Sequence, residues 1–166
     1  IASCLVGSEM CIRDSCKVVQ SGQGADELFA GYHWYPLVDG ADDAYSAYRK
    51  AFFDREHDEY AACVQPAWLT DDVSGEFVRQ HFAQPGASAA VDKALRLDST
   101  VMLVDDPVKR VDNMTMAWGL EARTPFLDYR VAELSARIPG QFKLPEGGKY
   151  VLKEAARKVI PSEVID

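Results

Sequence analysis

Ser21-Gly22-Gln23-Gly24-Ala25-Asp26-Glu27-Leu28-Phe29-Ala30-Gly31-Tyr32 is a glycine-rich turn that runs into an acidic pair and then an apolar helical stripe. Just before it, Lys17-Val18-Val19-Gln20 has the β-branched content of a short buried strand. The order is therefore strand, glycine turn, helix start. Such a turn presents backbone N–H groups where a phosphate can dock. Gly22 and Gly24 allow a ligand to approach the backbone closely and allow positive φ. Asp26 and Glu27 bring negative charge to the same place. Carboxylates beside a phosphate suit Mg²⁺, which takes a few carboxylates together with phosphate oxygens and water. The plainer reading is a tight turn in which Asp26 caps a helix. Spacing alone leaves both readings open.

Bulk properties narrow the field. The chain has 166 residues and a net charge of −8, enough for one core and the composition of an ordinary globular protein. An acidic surface argues against non-specific nucleic-acid binding, which relies on Lys and Arg neutralising phosphates. No apolar run reaches membrane-spanning length. Cys4, Cys11, Cys16 and Cys63 lack the paired spacing of a zinc site. Residues 1–16 hold three of these four cysteines. Their apolar stretch has no basic leader and is interrupted by Glu9, unlike a signal peptide. They are read as a non-native leader resembling sequencing-adapter read-through. With Cys63 alone remaining, a reduced, cytoplasmic setting is expected.

Along the chain, His33-Trp34-Tyr35-Pro36 is expected to close the first helix. Helices are expected over Ala44 to Arg55, Glu59 to Val64, and from a Thr70-Asp71 cap over Val73 to Phe82. A longer one should run from Ser88 to Met102. Asp106-Pro107 has the form of a helix start, leading through Val108 to Ala117. Trp118 to Phe126 should be irregular or extended. Asp128 should cap a helix through Ile138, and a last helix should span Lys149 to Lys158. Met114, Met116 and Trp118 look like core. His33, His57 and His81 show no ligand spacing. The chain is thus mainly helical with about one strand.

Three blocks, in order, resemble the glutamine-dependent asparagine synthetases and their relatives. They are Ser21 to Tyr32, Asp112-Asn113-Met114-Thr115-Met116-Ala117-Trp118-Gly119-Leu120-Glu121-Ala122-Arg123-Thr124-Pro125-Phe126-Leu127-Asp128, and Gly148-Lys149-Tyr150-Val151-Leu152-Lys153-Glu154-Ala155-Ala156. Within that family, Val19 to Gly24, His33 to Pro36 and Asp105 to Arg110 are most similar to the N-acetylglutaminylglutamine amidotransferases. The resemblance implies an α/β fold, the adenine-nucleotide alpha-hydrolase-like (ATP pyrophosphatase) synthetase domain. Residues 17–166 would be its mainly helical C-terminal part. It implies ATP and Mg²⁺, activation of an acyl carboxylate as an acyl-adenylate, and attack by glutamine-derived ammonia. It implies a glutaminase domain N-terminal to this segment and leaves room for a homodimer.

By motif position, Ser21, Gly22, Gln23 and Gly24 resemble the ATP cradle and Asp26 the Mg²⁺ ligand, while Glu27 is expected to be structural, turned toward neighbouring backbone. Gln23 departs from the usual glutamate of asparagine synthetases. An amide is no general base at neutral pH, so it either reads a different acyl substrate or only shapes the loop. Asp105 and Asp106 lie near a family acid that faces the reaction centre; helix capping is their alternative. Lys149 matches the lysine expected to stabilise the α-phosphate, against a solvated lysine at a helix start. Arg123 could clamp a substrate carboxylate, or pair with Glu121 to fix the loop. The favoured product is an amidated acetyl-dipeptide osmolyte. Asparagine formation is the enzymatic alternative, and a non-catalytic nucleotide-binding remnant is the third reading. The last rests on the lack of a Ser-Gly-Gly-x-Asp-Ser loop in this sequence.

Overall fold

A computed structural model describes residues 16–165. Apart from Cys16, the segment read as a leader lies outside the described residues. Cys16 and Cys63 are both exposed, and Cys63 is a free thiol. Strand β1 (Val18–Gln20) pairs in parallel with β2 (Glu121–Arg123), placing Val19 opposite Ala122. Ser21 N donates to Arg123 O at 2.8 Å and Glu121 N to Lys17 O at 2.9 Å, which extends the ladder at both ends. The sequence suggests about one strand; the structure has two among the described residues. Glu-Ala-Arg carries no β-branched or alternating signal, so only its partner makes β2 a strand. The expected burial of β1 is also corrected. Val18 and Gln20 are exposed and Val19 is half-buried, because a two-stranded ribbon leaves much of its surface uncovered.

The helices follow. α1 (Ala25–Phe29) is entered through Gly24 at φ 93° and left through Ala30 at φ 58°. Pro36 does not end this helix. It sits in the first turn of α2 (Tyr35–Val38), where its missing N–H is not needed. α3 (Ala44–Phe52) is capped by Asp43, which accepts from Ser46 N at 3.2 Å. α4 (His57–Cys63) starts earlier than expected because Glu56 and Glu59 form a reciprocal capping box. The cap of α5 (Val73–Ala83) is Asp72, accepting from Gly75 N at 2.9 Å, not Thr70 or Asp71. Arg49 joins these caps, with ion pairs of 2.7 Å to Glu56 and 2.5 Å to Asp72.

The largest correction concerns the middle of the chain. α6 (Ala90–Leu97) continues through π-helical turns at Asp98–Met102 and Val104–Val108 into α7 (Lys109–Met116). Asp106-Pro107 therefore starts no helix; Pro107 lies inside one. The wider π turns accommodate a residue that lacks a donor and crowds the preceding turn. Asp128 does cap α8 (Tyr129–Arg137), accepting from Arg130 N at 2.9 Å. α9 (Tyr150–Ala156) and α10 (Ser162–Ile165) complete the chain. No helix is long and apolar enough to cross a membrane among the described residues.

The core gathers Ala30, Tyr35, Val38, Tyr48, Val78, Phe82, Val91, Ala94, Leu95 and Leu97. α6 supplies four of these at helical spacing, so its apolar stripe organises the packing. Met114, Met116 and Trp118 do not join it and are 56–68% exposed. Within this core sits one fully buried carboxylate, Asp98. It accepts from the Trp34 indole Nε1 at 3.1 Å and from the Tyr48 hydroxyl. The buried Tyr35 hydroxyl has no aligned hydrogen-bond partner, although it stands in the Asp98 field.

Burial pushes the Asp98 carboxyl above the ordinary carboxylate range, against the lowering effect of its hydrogen bonds. A raised folded-state pKa means that stability from this group is fully present below the unfolded value, about 3.9, and is lost as pH rises through the folded value. Urea unfolding of wild type and Asp98→Asn across a pH series should show this. Wild-type stability relative to the variant should be constant below pH about 4 and fall above it. A difference that rises with pH would contradict the assignment.

Candidate functional site

The site is built where the glycine turn meets the start of α9. Gly24 holds φ 93°, and a Cβ there would collide with the Leu127 side chain. Gly24 is thus required by the fold itself. Gly22 is different: it is exposed, and a Cβ would meet nothing within 4 Å. Space for a ligand lies over Gly22, not over both glycines. The N–H groups of Gly22, Gln23 and Gly24 have no hydrogen-bond partner among the described residues. α1 has only 5 residues, so donors in the turn matter more here than a helix dipole.

Asp26 opens α1, and its Oδ1 lies 2.8 Å from Lys149 Nζ; the two side chains are 30% and 34% exposed. Three backbone features force this meeting. Ala30 turns left-handed and lets Gly31 N bond to Asp26 O at 2.9 Å. Gly148 at φ 97° passes so close to Ala30 that a Cβ would strike its carbonyl oxygen. Lys149, itself left-handed at φ 57°, anchors its N–H on Phe29 O at 2.8 Å. Gly31 leaves the gap through which the side chains of Asp26 and Lys149 reach each other.

The other candidate residues resolve individually. Glu27 is buried, as a structural residue should be. Its partner, however, is the Tyr32 hydroxyl at 2.6 Å and not neighbouring backbone. Burial, then the hydrogen bond to Glu27, pushes the Tyr32 hydroxyl well above its usual range. Gln23 is half-buried in the turn. Ser21 donates its backbone N–H to β2. Glu121 and Arg123 pair with each other at 2.9 Å on the exposed face of β2. That is the loop-fixing alternative, and Arg123 is engaged within its own strand. Asp105 and Asp106 cap nothing. They are exposed and pair with Lys109 at 3.8 Å and with Arg110, one helical turn on.

Sequence reading missed Asp98, an unremarked polar residue in a helical stretch. Its only signal was a position that continues the apolar stripe of α6. It also missed Lys143, one of the few buried charged residues.

Among the described residues, no group of three or more His, Cys, Asp or Glu could hold a metal ion. Asp26 offers one carboxylate already engaged by an ammonium. Mg²⁺ fits here only if phosphate oxygens supply most of its ligands. The turn's free N–H groups and Lys149 suit an anion, and Asp26 suits that anion's cation. The arrangement is a turn with open N–H donors opposed by a lysine on a glycine hinge.

Comparisons with known proteins show the family of the chain. The asparagine synthase family matches residues 1–166, and the chain belongs to this family. Relatives are named asparagine synthetases (glutamine-hydrolysing). One from Mycobacterium tuberculosis is 27% identical over 92% of this chain and 29% of its own length. One from Bacillus subtilis is 26% identical over 90% of this chain and 29% of its own length. The human protein is 32% identical over 58% of this chain and 17% of its own length. The chain therefore spans under a third of the curated relatives it matches. No solved structure matches it.

The glycines give a paired prediction. Gly148→Ala should cost at least about 2 kcal/mol, combining a left-handed penalty with a backbone collision. Gly22→Ala should stay within about 0.5 kcal/mol, as substitutions in open surface positions do. Chemical denaturation of the two variants checks both. Gly31→Ala should leave the chain folded but part Lys149 from Asp26, read as faster labelling of the Lys149 amine.

Proposed function

We propose that this chain forms the turn-and-lysine part of an ATP-dependent ligase site that amidates a carboxylate. The Lys149–Asp26 pair beside the unsatisfied turn carries the reading. A substrate carboxylate oxygen would bond to the α-phosphorus of ATP as pyrophosphate leaves. Ammonia derived from glutamine would then attack the acyl carbon and lose a proton to solvent, and AMP would leave with the electron pair of the broken C–O bond. Gly22, Gln23 and Gly24 would present N–H donors to phosphate oxygens. Lys149 would release Asp26 and follow the negative charge that grows on the α-phosphate. Asp26, once freed, would hold Mg²⁺ together with the phosphates. Mg²⁺ supplies charge neutralisation of the leaving pyrophosphate.

The acceptor is proposed to be a glutamyl carboxylate in an acetylated dipeptide, giving a neutral amide osmolyte. Gln23 supports this, because an amide in the turn can read an amide-rich substrate by hydrogen bonds but cannot take a proton from ammonia. The names of the relatives support aspartate, with asparagine as product, equally well. The surrounding polypeptide would supply the glutaminase and the remaining phosphate contacts.

Pyrophosphate release by the intact protein, with each acceptor at equal concentration, decides between the two. Faster turnover of the acetyl-dipeptide is expected; faster turnover of aspartate would remove that acceptor from consideration. Lys149→Gln should lower kcat by roughly 10²–10³, as loss of one transition-state charge contact does, with a smaller change in KM for ATP. An unchanged kcat would overturn the role given to Lys149.

A further inference from the structure

On the far side of Leu127 from the glycine turn, α1, α6, the following π turn and α8 border a half-open cavity of about 660 Å³. Its walls are largely apolar, with Leu28, Leu95, Leu103 and Leu127 among them. Lys143 also lines it and is 4% exposed. Its backbone is fixed at both ends: its N–H donates to Gly140 O at 2.8 Å, and its carbonyl accepts from Tyr150 N at 3.1 Å. Its ammonium makes no hydrogen bond or ion pair among the described residues. The carboxylate it feels, Asp92, acts only through space. Burying a charged ammonium without a partner is costly, so such groups are normally paired. Burial accordingly pulls the Lys143 amine below its ordinary range.

We propose that this cavity binds a small organic monocarboxylate, with its carboxylate on Lys143 and its apolar body against the leucine walls. Several features select that class. Arg96, the other cation in the lining, is committed to backbone carbonyls, at 2.8 Å to Pro85 O, at 3.2 Å to Gln84 O, and to His81 O. Its Nε is a buried donor without a partner. The hydroxyls of Ser99, Thr100 and Ser135 already donate to carbonyls. Glu27, Asp92 and Glu133 also line the cavity. They repel a second negative charge more than a single one, so a singly charged ligand with an apolar body suits the one ammonium here that no hydrogen bond or ion pair engages. Inorganic phosphate, a mixture of mono- and dianion near neutral pH, lacks the apolar surface that these walls reward.

The test uses the full chain labelled with ¹³C at lysine Cε. Sodium butyrate is titrated at constant ionic strength, with inorganic phosphate and chloride as separate titrants. A saturable shift of the Lys143 signal with butyrate is expected, with a Kd at least tenfold below that for phosphate. Lys143→Met should abolish saturable butyrate shifts at the methyls of Leu95 and Leu103. It should melt no lower than wild type, because it removes a buried charge. Lys143→Arg keeps the cation and should retain binding. A Lys143 response that is unsaturable or the same with chloride overturns the site. So does equal butyrate binding by Lys143→Met. Tighter phosphate than butyrate binding overturns the ligand class. Should Lys143→Met fail to fold, the wild-type titrations and Lys143→Arg still decide the matter.

Discussion

A carboxylate with no access to water is the fixed point of this chain. Asp98 receives the Tyr48 hydroxyl from α3 and the Trp34 indole from the start of α2, and it does so from inside the long central helix. Through these two bonds, α2 and α3 are tied to one position on the central helix. The aromatic cluster follows from that: Trp34 stacks on Tyr32 with centroids 4.3 Å apart, and Tyr48 on Phe52 at 5.0 Å. Tyr32 in turn holds Glu27. The chain of contacts thus runs from the core carboxylate to the helix that begins at the glycine turn. A buried polar network of this kind is an orienting device more than a source of stability.

From there, geometry where Asp26 meets Lys149 is a matter of backbone clearance. Residues that must come together sit on short elements with little packing of their own. What holds them is a set of close main-chain approaches, each allowed by a glycine or a left-handed residue. Gly148 slides past Ala30, Gly31 clears the Asp26 side chain, and Gly24 accommodates Leu127. The lysine is aimed by its own N–H on Phe29 O. Side chains with chemistry are then presented at partial exposure, where they can exchange partners.

Much of this was legible in the sequence. The Lys17–Tyr32 stretch gives strand, turn and helix correctly, because β-branched, glycine, acid and apolar residues each have a local physical meaning there. The Asp128 cap and the existence of α3 are legible for the same reason. What was not legible depends on neighbours. β2 is a strand only because β1 lies beside it. Asp106-Pro107 has every local mark of a helix start, but the preceding helix does not stop, and widened turns carry it through. Pro36 begins a helix instead of ending one because Ala30 has already ended the first. Met114, Met116 and Trp118 follow an apolar pattern that the described residues do not bury. Asp98 and Lys143 gain their meaning from burial, which no local pattern records. The Glu121–Arg123 pairing was one of two open readings, and i, i+2 spacing on a strand face decided it.

The contacts that shape the turn region come from distant parts of the chain. β1 needs β2, Ser135 reaches the Leu28 carbonyl across 107 positions, and Lys149 closes on Phe29 later still. Parallel pairing and wide sequence separation slow folding, since loop entropy is lost before such contacts form. During synthesis, the glycine turn emerges early and waits without its partners while the helical rod is made. The surface formed by the turn and Lys149 is therefore completed only after its last partner has been made. A nascent chain stalled before Gly148 would carry the signature motif without the site it announces.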